Sequence, residues 1–568
     1  MIRIFSCKSL ILGTMLMISQ IVFAQNLKED PGYKEQLASI EAKLQSGDLA
    51  NALQSIEETL VKYPKGADVY YAKSLLYAQA GNFEVALPAA EQAVQLSPDN
   101  LAFNNHLLEL YKSKRDFSSA ITLLDTLIAS NQQSPRIYRE KIMLLHASKQ
   151  SDEALKAYDL TKEKFGESDT LDVLKAEILV DLKKTDEALT LLEHWRAKKS
   201  PIRQVYSTMA YILMDNKKAN EATVILEEGL VNSKDDLLQF DLADANKLLK
   251  KDKLAFENIQ TAFESSGVNF VDKHRVMVQL LTNPSGISLD QKQQLANVLV
   301  LKHPRMPDSH MFKGDVLWQK GELNQAKSIY LTTVSMNPKH VDAWRKLVNV
   351  ELAMNDLDEA IVDGNEALKH NPGNVILTYF VGVAYTMKKD NDNARIYLER
   401  ALDQSGNENN FVKSMLYAGL GDLYHEIKLE SASEVAYEEA IKLDSANMSA
   451  LNNAAYYLSL KKKDLDKAAN YAKRAVELDP TSGTFQDTYA WVLFQQQQYS
   501  EAKIWIEKAI KNSEPSGVLF EHYGDILIQN GKQRDAIKQW EKALTFGSDS
   551  SIDQEKIKQK ISEKKYIE

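Results

Sequence analysis

Few residues of this chain have the types and spacing that catalysis requires. His425-Glu426 begins like a zinc-protease motif, but the second ligand position holds Leu429. Gly531-Lys532 lacks the upstream glycine of a phosphate-binding loop, and the stretch 419–421 lacks the third glycine of a dinucleotide site. The single cysteine, Cys7, cannot build a zinc site alone. We therefore predict no catalytic residue, no metal site and no bound cofactor, and a chain that is not an enzyme.

Composition narrows the class of protein further. The chain has 69 Lys and Arg against 79 Asp and Glu, and its net charge of −10 argues against a nucleic-acid-binding protein. Hydrophobic residues make up 44% of the chain and charged residues 26%, which is typical of a folded protein and excludes wholesale disorder. A length of 568 residues requires either several domains or one extended array.

Residues 1–24 have the pattern of a secretory signal peptide. Two basic residues precede the apolar run 10–22, and a small residue stands before the expected cleavage site at Gln25. The alternative is an uncleaved membrane anchor, but the run is shorter than the roughly 20 apolar residues that span a bilayer. We therefore predict an exported protein, periplasmic or associated with the outer envelope. Residues 25–32 are expected to be a short linker.

A period of 34 residues organises the rest of the chain. One column recurs at or near that spacing, at Ala52, Ala86, Ala120, Ala154, Ala188 and Ala222, and then at Ala326, Ala360, Ala394, Ser433, Ala468, Ala502 and Ala536. A second column lies seven residues later, at Ala93, Ala262, Ala367, Ala401, Ala440, Ala475, Ala509 and Ala543. Proline follows at Pro64, Pro98, Pro338, Pro372 and Pro480. These columns predict repeated pairs of amphipathic helices, in which small residues let two backbones approach closely and proline ends the second helix.

The pattern within each period resembles the tetratricopeptide repeat (TPR) family. The match is best over residues 308–338, 341–372, 375–406 and 517–548. The family's aromatic slot holds Tyr70, Trp344 and Tyr417, and its Leu-Gly slot holds Lys313-Gly314, Val381-Gly382, Leu420-Gly421 and Tyr523-Gly524. The resemblance covers nearly all of the chain after residue 24. It implies an all-α fold, a right-handed α-solenoid of about 15 TPR-like helical hairpins with about two degenerate in the middle.

The columns also divide the chain into segments. Six repeats are expected in an N-terminal array at 33–234, and seven in a C-terminal array at 307–548. Residues 235–306 lack most of the alanines and are predicted to be degenerate repeats or a hinge. We favour a continuous stack there, because a repeat that exposes its hydrophobic face is unstable alone. Residues 549–568 are expected to be a capping helix or tail, and the polar stretch 406–413 a loop.

The first helix of each repeat supplies the candidate binding surface. In the TPR family, positions 2, 5, 9 and 12 of that helix face a concave groove, and the resemblance implies the same here. The candidate partner-binding residues are Trp318, Arg345, Asn349, Tyr379, Asp422, His425, Asn453, Tyr457, Asp487, Trp491, Phe494, Glu521 and Asp525. Tyr457, Trp491 and Phe494 are the preferred anchors, because aromatic rings bury a large area at low entropy cost. The alternative is that these rings pack against neighbouring helices or the chain's own termini.

Aromatic rings beside carboxylates suit a protein or peptide partner that carries apolar anchors and positive charge. Some TPR proteins clamp a partner's terminal carboxylate with Lys, Arg and Asn from successive first helices. Here Arg345, Lys346 and Asn349 are followed by Tyr379 and Phe380, so that clamp is incomplete. We predict an exported scaffold or adaptor in bacterial envelope assembly or secretion, with no nucleic-acid partner and only indirect membrane contact. A glycan-binding accessory protein is the alternative, because such surfaces also suit sugars.

Overall fold

The protein is described by a computed structural model that covers residues 30–130, 134–283, 286–547 and 552–568. The predicted signal peptide at 1–24 lies outside these residues. Within them the chain forms 31 α-helices and one short 3-10 helix, and it forms no strand. The predicted all-α repeat fold is therefore confirmed. Fourteen pairs of consecutive helices contact each other, from α1 with α2 to α13 with α14 and from α17 with α18 to α29 with α30.

The first of two compact units extends as far as Gln291. Its helices are α1 (Pro31–Gln45), α2 (Leu49–Lys62), α3 (Ala67–Gln79), α4 (Phe83–Leu96), α5 (Leu101–Lys114), α6 (Phe117–Ala129), α7 (Pro135–Ala147), α8 (Ser151–Phe165), α9 (Asp169–Asp181), α10 (Thr185–Ala197), α11 (Arg203–Asp215), α12 (Ala219–Ser233), α13 (Leu238–Leu248), α14 (Asp252–Glu264) and α15 (Phe270–Thr282). Helix α16 (Leu289–Lys302) contains the boundary between the units.

The second unit extends from Lys292 to Glu568. Its helices are α17 (Pro307–Gln319), α18 (Leu323–Met336), α19 (Val341–Met354), α20 (Leu357–His370), α21 (Val375–Met387), α22 (Asn391–Gln404), α23 (Asn410–Glu426), α24 (Glu430–Leu443), α25 (Met448–Leu460), α26 (Leu465–Leu478), α27 (Gly483–Gln495), α28 (Tyr499–Asn512), α29 (Gly517–Gln529), α30 (Gln533–Leu544) and α31 (Gln554–Glu563). We call the odd-numbered members of these pairs, α17 to α29, the first helices.

The alanine columns mark the points of closest helix packing. Every alanine of the first column, from Ala52 to Ala536, is 0% exposed, as is every alanine of the second. Ser433, which interrupts the first column, is 4% exposed, and its hydroxyl donates to the carbonyl of Gly421 at 2.8 Å. A larger side chain in such a contact costs about 1–3 kcal/mol. The predicted phase of the repeats is therefore confirmed.

In many pairs, a residue with left-handed backbone conformation follows the first helix and a proline follows the second. Pro64, Pro98, Pro338, Pro372 and Pro480 each stand two residues beyond the end of a second helix, because proline cannot continue the backbone hydrogen-bond ladder. Between the helices of a pair, the backbone turns through a residue with positive φ. Glycine holds some of these positions and a basic residue or asparagine holds others, as Gly81 (φ +75°) and Lys183 (φ +63°) illustrate. The sequence marks this turn where glycine holds it, at Gly81, Gly321 and Gly531, but not at the other positions, because the residue type varies.

Two stretches outside the regular lattice are also helical. Residues 235–306 contain α13 to α16, and both the hinge and the continuous stack stay predictions there. The loop expected at 406–413 is shorter than predicted, because α23 begins at Asn410. The Asn409 side chain accepts the backbone N–H of Val412 at 3.0 Å and so caps this 17-residue helix. Asparagine is favoured in loops and at helix N-caps alike, which explains the error.

Candidate partner-binding surface

All thirteen candidate residues lie on first helices of the second unit. Successive first helices from α19 to α29 contact one another, so their side chains share a continuous face, which we call the first-helix face. Ten of the thirteen residues are partly buried, whereas Trp491, Phe494 and Asp525 are buried. The burial of the candidate residues therefore differs along this face.

A glycine followed by an aspartate shapes this face at three places. Gly314 has no side chain, and a Cβ atom there would lie 2.5 Å from the ring of Tyr330 on the paired helix. That ring consequently lies close to the backbone of α17, and its hydroxyl donates to Oδ1 of Asp315 at 2.8 Å. The same arrangement recurs at Gly421, Asp422 and Tyr437 and at Gly524, Asp525 and Trp540, with donor–acceptor distances of 2.5 and 2.9 Å.

Each of these three aspartates also accepts a hydrogen bond from a residue further along the chain. Lys346 on α19 donates to Asp315, and the side-chain amide of Asn453 on α25 donates to Asp422 at 2.8 Å. At the third place, Lys560 on α31 donates to Oδ2 of Asp525 at 2.7 Å. The carboxylates therefore join successive repeats. This use inside the chain was not foreseen when Asp422 and Asp525 were selected as partner-binding residues.

Burial governs the protonation of two of these aspartates. Desolvation raises the pKa of Asp422 above its ordinary value, although hydrogen bonds from Tyr437 and Asn453 oppose that shift. Desolvation also raises the pKa of Asp525 to about 6, against the lowering effect of the Lys560 ammonium. Asp525 is buried, whereas Asp422 is partly buried.

The middle of the first-helix face carries an aromatic stack. The His425 ring on α23 lies parallel to the Tyr457 ring on α25, with 3.5 Å between ring centroids. Tyr457 also lies 5.9 Å from Tyr437, and burial with the nearby Asp422 carboxylate raises the pKa of Tyr457 to about 12. His425 and Tyr457 are partly buried, as is Tyr379 on α21, whereas Tyr437 is buried beneath them.

Two of the three preferred anchors are covered by the chain itself. Trp491 is 7% exposed and stacks on His522 at 4.1 Å and on Phe494 at 4.9 Å. Phe494 is 4% exposed and meets the ring of Tyr566 edge-on at 5.2 Å. Nδ1 of His522 lies 2.9 Å from Oδ1 of Asp487. This packing corresponds to the alternative that sequence analysis left open, in which the rings contact neighbouring helices and the chain's own C-terminal residues.

The remaining candidates lie at the start of the unit and at its last first helix. Trp318 on α17 packs against the hydrophobic cluster around Leu317 and Trp344. Arg345 and Asn349 share α19 and are both partly buried. At the other end, Oε1 of Glu521 accepts from the Lys560 ammonium at 2.7 Å.

Sequence reasoning missed the residues that cover α27 and α29. Lys560 and Tyr566 belong to the segment predicted only as a cap or tail, and they contact Glu521, Asp525 and Phe494. Tyr566 contacts Phe494 from 72 residues away, a distance that matches no repeat period. A signal was available for Lys560 alone, since it follows Asp525 by 35 residues, close to one period.

Metal-binding clusters and membrane-spanning helices are both absent from the described residues. Among the described residues, no group of three or more His, Cys, Asp or Glu is arranged to hold a metal ion. In the same part of the chain, no helix combines the length and the apolar character needed to cross a membrane.

Comparison with known families identifies the class. Models of the tetratricopeptide repeat match residues 37–100 and 77–142 in the first unit, and residues 313–364, 346–409, 416–447 and 449–482 in the second. The paired helices, the buried alanine columns and these matches agree. The chain is a tetratricopeptide repeat protein.

Individual relatives are distant. The chain is 24% identical over 287 residues to TPR repeat-containing protein MJ1428 of Methanocaldococcus jannaschii (strain ATCC 43067), and the match covers 41% of this chain and 50% of that protein. It is 26% identical over 188 residues to the human protein O-mannosyl-transferase TMTC3, and the match covers 31% of this chain and 19% of that protein. The chain therefore spans half the length of one curated relative and about a fifth of the other.

Matching solved structures have low sequence identity and TM-scores below 0.5. The crystal structure of the APC/C hetero-tetramer Cut9-Hcn1 is 13% identical, with a TM-score of 0.41 over 88% of this chain and 96% of that one. A tetratricopeptide repeat protein from Parabacteroides merdae ATCC 43184 is 17% identical, with a TM-score of 0.34 over 45% of this chain and 98% of that one.

Proposed function

We propose that this chain is an exported, non-catalytic scaffold that binds a protein partner on the first-helix face of its second unit. The observation that carries the proposal is that this face already holds a peptide segment. At α27 and α29, a lysine and a tyrosine of the chain's own residues 552–568 contact Phe494, Glu521 and Asp525. The remainder of the face, from α19 to α25, keeps its aromatic and polar side chains partly accessible.

The chemistry of the accessible part indicates the kind of partner. The His425–Tyr457 stack offers a flat apolar surface, and Asn349 on α19 offers an amide group. The mature chain is acidic, since removal of residues 1–24 with their two basic residues changes the net charge from −10 to −12. A partner segment with apolar anchors and positive charge suits this surface, because complementary charge speeds association and rejects wrong partners.

Export and an envelope role rest on the sequence of residues 1–24. The proposal predicts that the cellular protein begins at Gln25 and is recovered with the periplasm or the outer envelope. Intact-mass measurement of the protein from fractionated cells tests both points. A mass that includes residues 1–24, or recovery in the cytoplasm alone, would contradict the export proposal.

Binding itself is tested by capture with matched variants of residues 25–568. The purified chain is exposed in parallel to envelope protein extract and to envelope polysaccharide. Asn349→Lys and His425→Ala alter the first-helix face, whereas Lys369→Glu alters an exposed lysine of the second helix α20. We expect one protein to be captured by the wild type and by Lys369→Glu, and captured about tenfold less by the face variants at unchanged melting temperature.

The glycan-binding alternative makes the opposite prediction in the same experiment. A sugar ring could stack on Tyr457 or His425, because aromatic faces and adjacent polar groups also suit carbohydrates. Saturable binding of polysaccharide that is lost in His425→Ala, with no protein captured by the wild type, would replace the scaffold proposal. Capture of protein without polysaccharide binding would support it.

A further inference from the structure

Residues 564–568, which follow α31, run back across three helix pairs. The carbonyl of Lys564 accepts from the side-chain amide of Gln533, at the start of α30, at 3.3 Å. The Tyr566 ring then meets Phe494 at the end of α27, and the Glu568 carboxylate pairs with Lys462, between α25 and α26. The segment therefore passes the pairs in the reverse of their order in the chain.

The Tyr566 ring lies between the aromatic ring of Phe494 and the ammonium group of Lys560, and we call this site the seat of Tyr566. Phe494 lies at 5.2 Å with the two rings at 72°, an edge-to-face geometry, and the Lys560 ammonium lies 5.4 Å from the Tyr566 ring centroid. Aromatic pairs of this kind stabilise a contact beyond the effect of the area that they bury, and a cation near a ring face stabilises it further. Burial, followed by the Asp525 and Glu568 carboxylates, raises the pKa of Tyr566 to about 12.

The segment differs in packing from the helix that precedes it. In α31, Ile557 and Lys560 are 0% and 1% exposed, and Ile557 belongs to a hydrophobic cluster with Trp540 and Phe520. Residues 564–568 contribute two partly buried side chains, Tyr566 and Ile567, whereas the side chains of Lys564, Lys565 and Glu568 are exposed. Segments with few buried apolar contacts open at low free energy. Residues 564–568 can therefore leave the surface while α31 stays packed.

We propose that residues 564–568 occupy, within the chain, a docking surface for an external segment that carries an aromatic residue two positions before a carboxylate, and that the two compete for it. The ring enters the seat between Phe494 and Lys560, and the carboxylate pairs with Lys462. Two extended residues span roughly 7 Å, so a single short extended peptide can make both contacts. This inference rests on the proposed scaffold function, and it names one class of segment that the scaffold accepts.

The probe for the test is a fluorescein-labelled peptide with the sequence of residues 562–568, added to the full chain. Tyr566→Ala removes the internal ring and leaves the seat intact, so the probe is expected to bind this variant at least about tenfold more tightly than the wild type, a gain of about 1.4 kcal/mol. Lys558→Ala, which changes an exposed residue of α31, is the matched control and should retain wild-type affinity.

Exchanging the charges of Lys462 and the terminal Glu of the probe distinguishes loss of this ion pair from a folding defect. In the Tyr566→Ala background, Lys462→Glu should weaken the probe, and a probe with Lys in place of its terminal Glu should restore binding. Equal probe affinity for the wild type and Tyr566→Ala, or no binding to either folded protein, would overturn the proposal. A wild-type chain that forms dimers lost on Tyr566→Ala would also overturn it, because the occupant would then be a second copy.

The two proposals can fail separately. Loss of probe binding while envelope protein is still captured by the first-helix face would refute the docking surface and leave the scaffold function standing. Probe binding of the expected pattern without capture of any envelope protein would support the docking surface and refute the scaffold function.

Discussion

The Lys560 ammonium lies 2.7 Å from Oδ2 of Asp525, and its side chain is 2% exposed. Lys346 forms the corresponding ion pair with Asp315. In both pairs the lysine follows the aspartate by about one repeat along the chain. Helix α31 therefore occupies the place that the first helix of another pair would take. Its exposed residues give the last repeat a polar outer face, as the capping of a repeat array requires.

Removal of the buried ammonium should destabilise the end of the array. Lys560→Met leaves the Asp525 and Glu521 carboxylates without their cation, and breaking a buried ion pair from one side costs about 3–5 kcal/mol. We expect a lower melting temperature and faster hydrogen exchange in α29 and α30. Lys558→Met, on the exposed side of α31, is the control, and equal exchange in the two variants would show that α31 is not a cap.

Glycine at the helix contact should be intolerant of a single added carbon. In Gly421→Ala the new Cβ would lie 2.7 Å from the Tyr437 ring, which must move away from Asp422. Overpacking of this kind typically costs about 1–3 kcal/mol. Gly406→Ala is the matched control, because no atom lies within 4 Å of its added carbon. Urea unfolding of both variants measures the difference, and similar midpoints would contradict the close approach of α23 and α24.

Glu351 should make stability fall as pH rises. The residue is 0% exposed, neither carboxylate oxygen accepts a hydrogen bond from the described residues, and Oε1 lies 3.4 Å from the Lys327 ammonium. Burial, with a contribution from Asp363, raises its pKa to about 8. The folded state then binds one proton more than the unfolded state between pH values of about 4.5 and 8.

The sign of that proton difference fixes the expected result. The free energy of unfolding decreases through this window by up to about 1.4 kcal/mol per pH unit from this one group. Glu351→Gln cannot ionise, so its melting temperature should approach or exceed that of the wild type as pH rises from 5 to 8. Parallel melting curves for the two proteins over this range would contradict the buried, protonated carboxyl group.

His522 should stabilise the protein most at low pH. Burial lowers the pKa of His522, but Asp487 at 2.9 Å, with Asp525 and Glu521, outweighs it and raises the pKa above the usual value. The stabilisation is complete below pH ~6.5 and is lost as pH rises through the folded-state pKa. His522→Gln should therefore cost more stability at pH 6 than at pH 9, measured by thermal melting. A cost that does not change with pH would exclude a charged imidazole at this position.

The repeat register could be predicted from the sequence, because each alanine column occupies the same crowded contact in every pair. Ala360 and Ala367 illustrate this, since both are 0% exposed. The burial of Phe494 could not be predicted in this way. Its position in α27 places it on the first-helix face, but the ring that covers it, Tyr566, belongs to a segment outside the lattice. Periodicity contains no information about such contacts.

The most direct test of the central claim is photo-crosslinking in living cells. A photoreactive phenylalanine analogue placed at Asn349 or His425 lies on the first-helix face, and the same analogue at Lys369 lies on α20. If the chain is a scaffold that uses this face, Asn349 and His425 should give one common envelope-protein adduct that Lys369 does not give. An adduct at Lys369 alone, or none at either face position, would contradict the account.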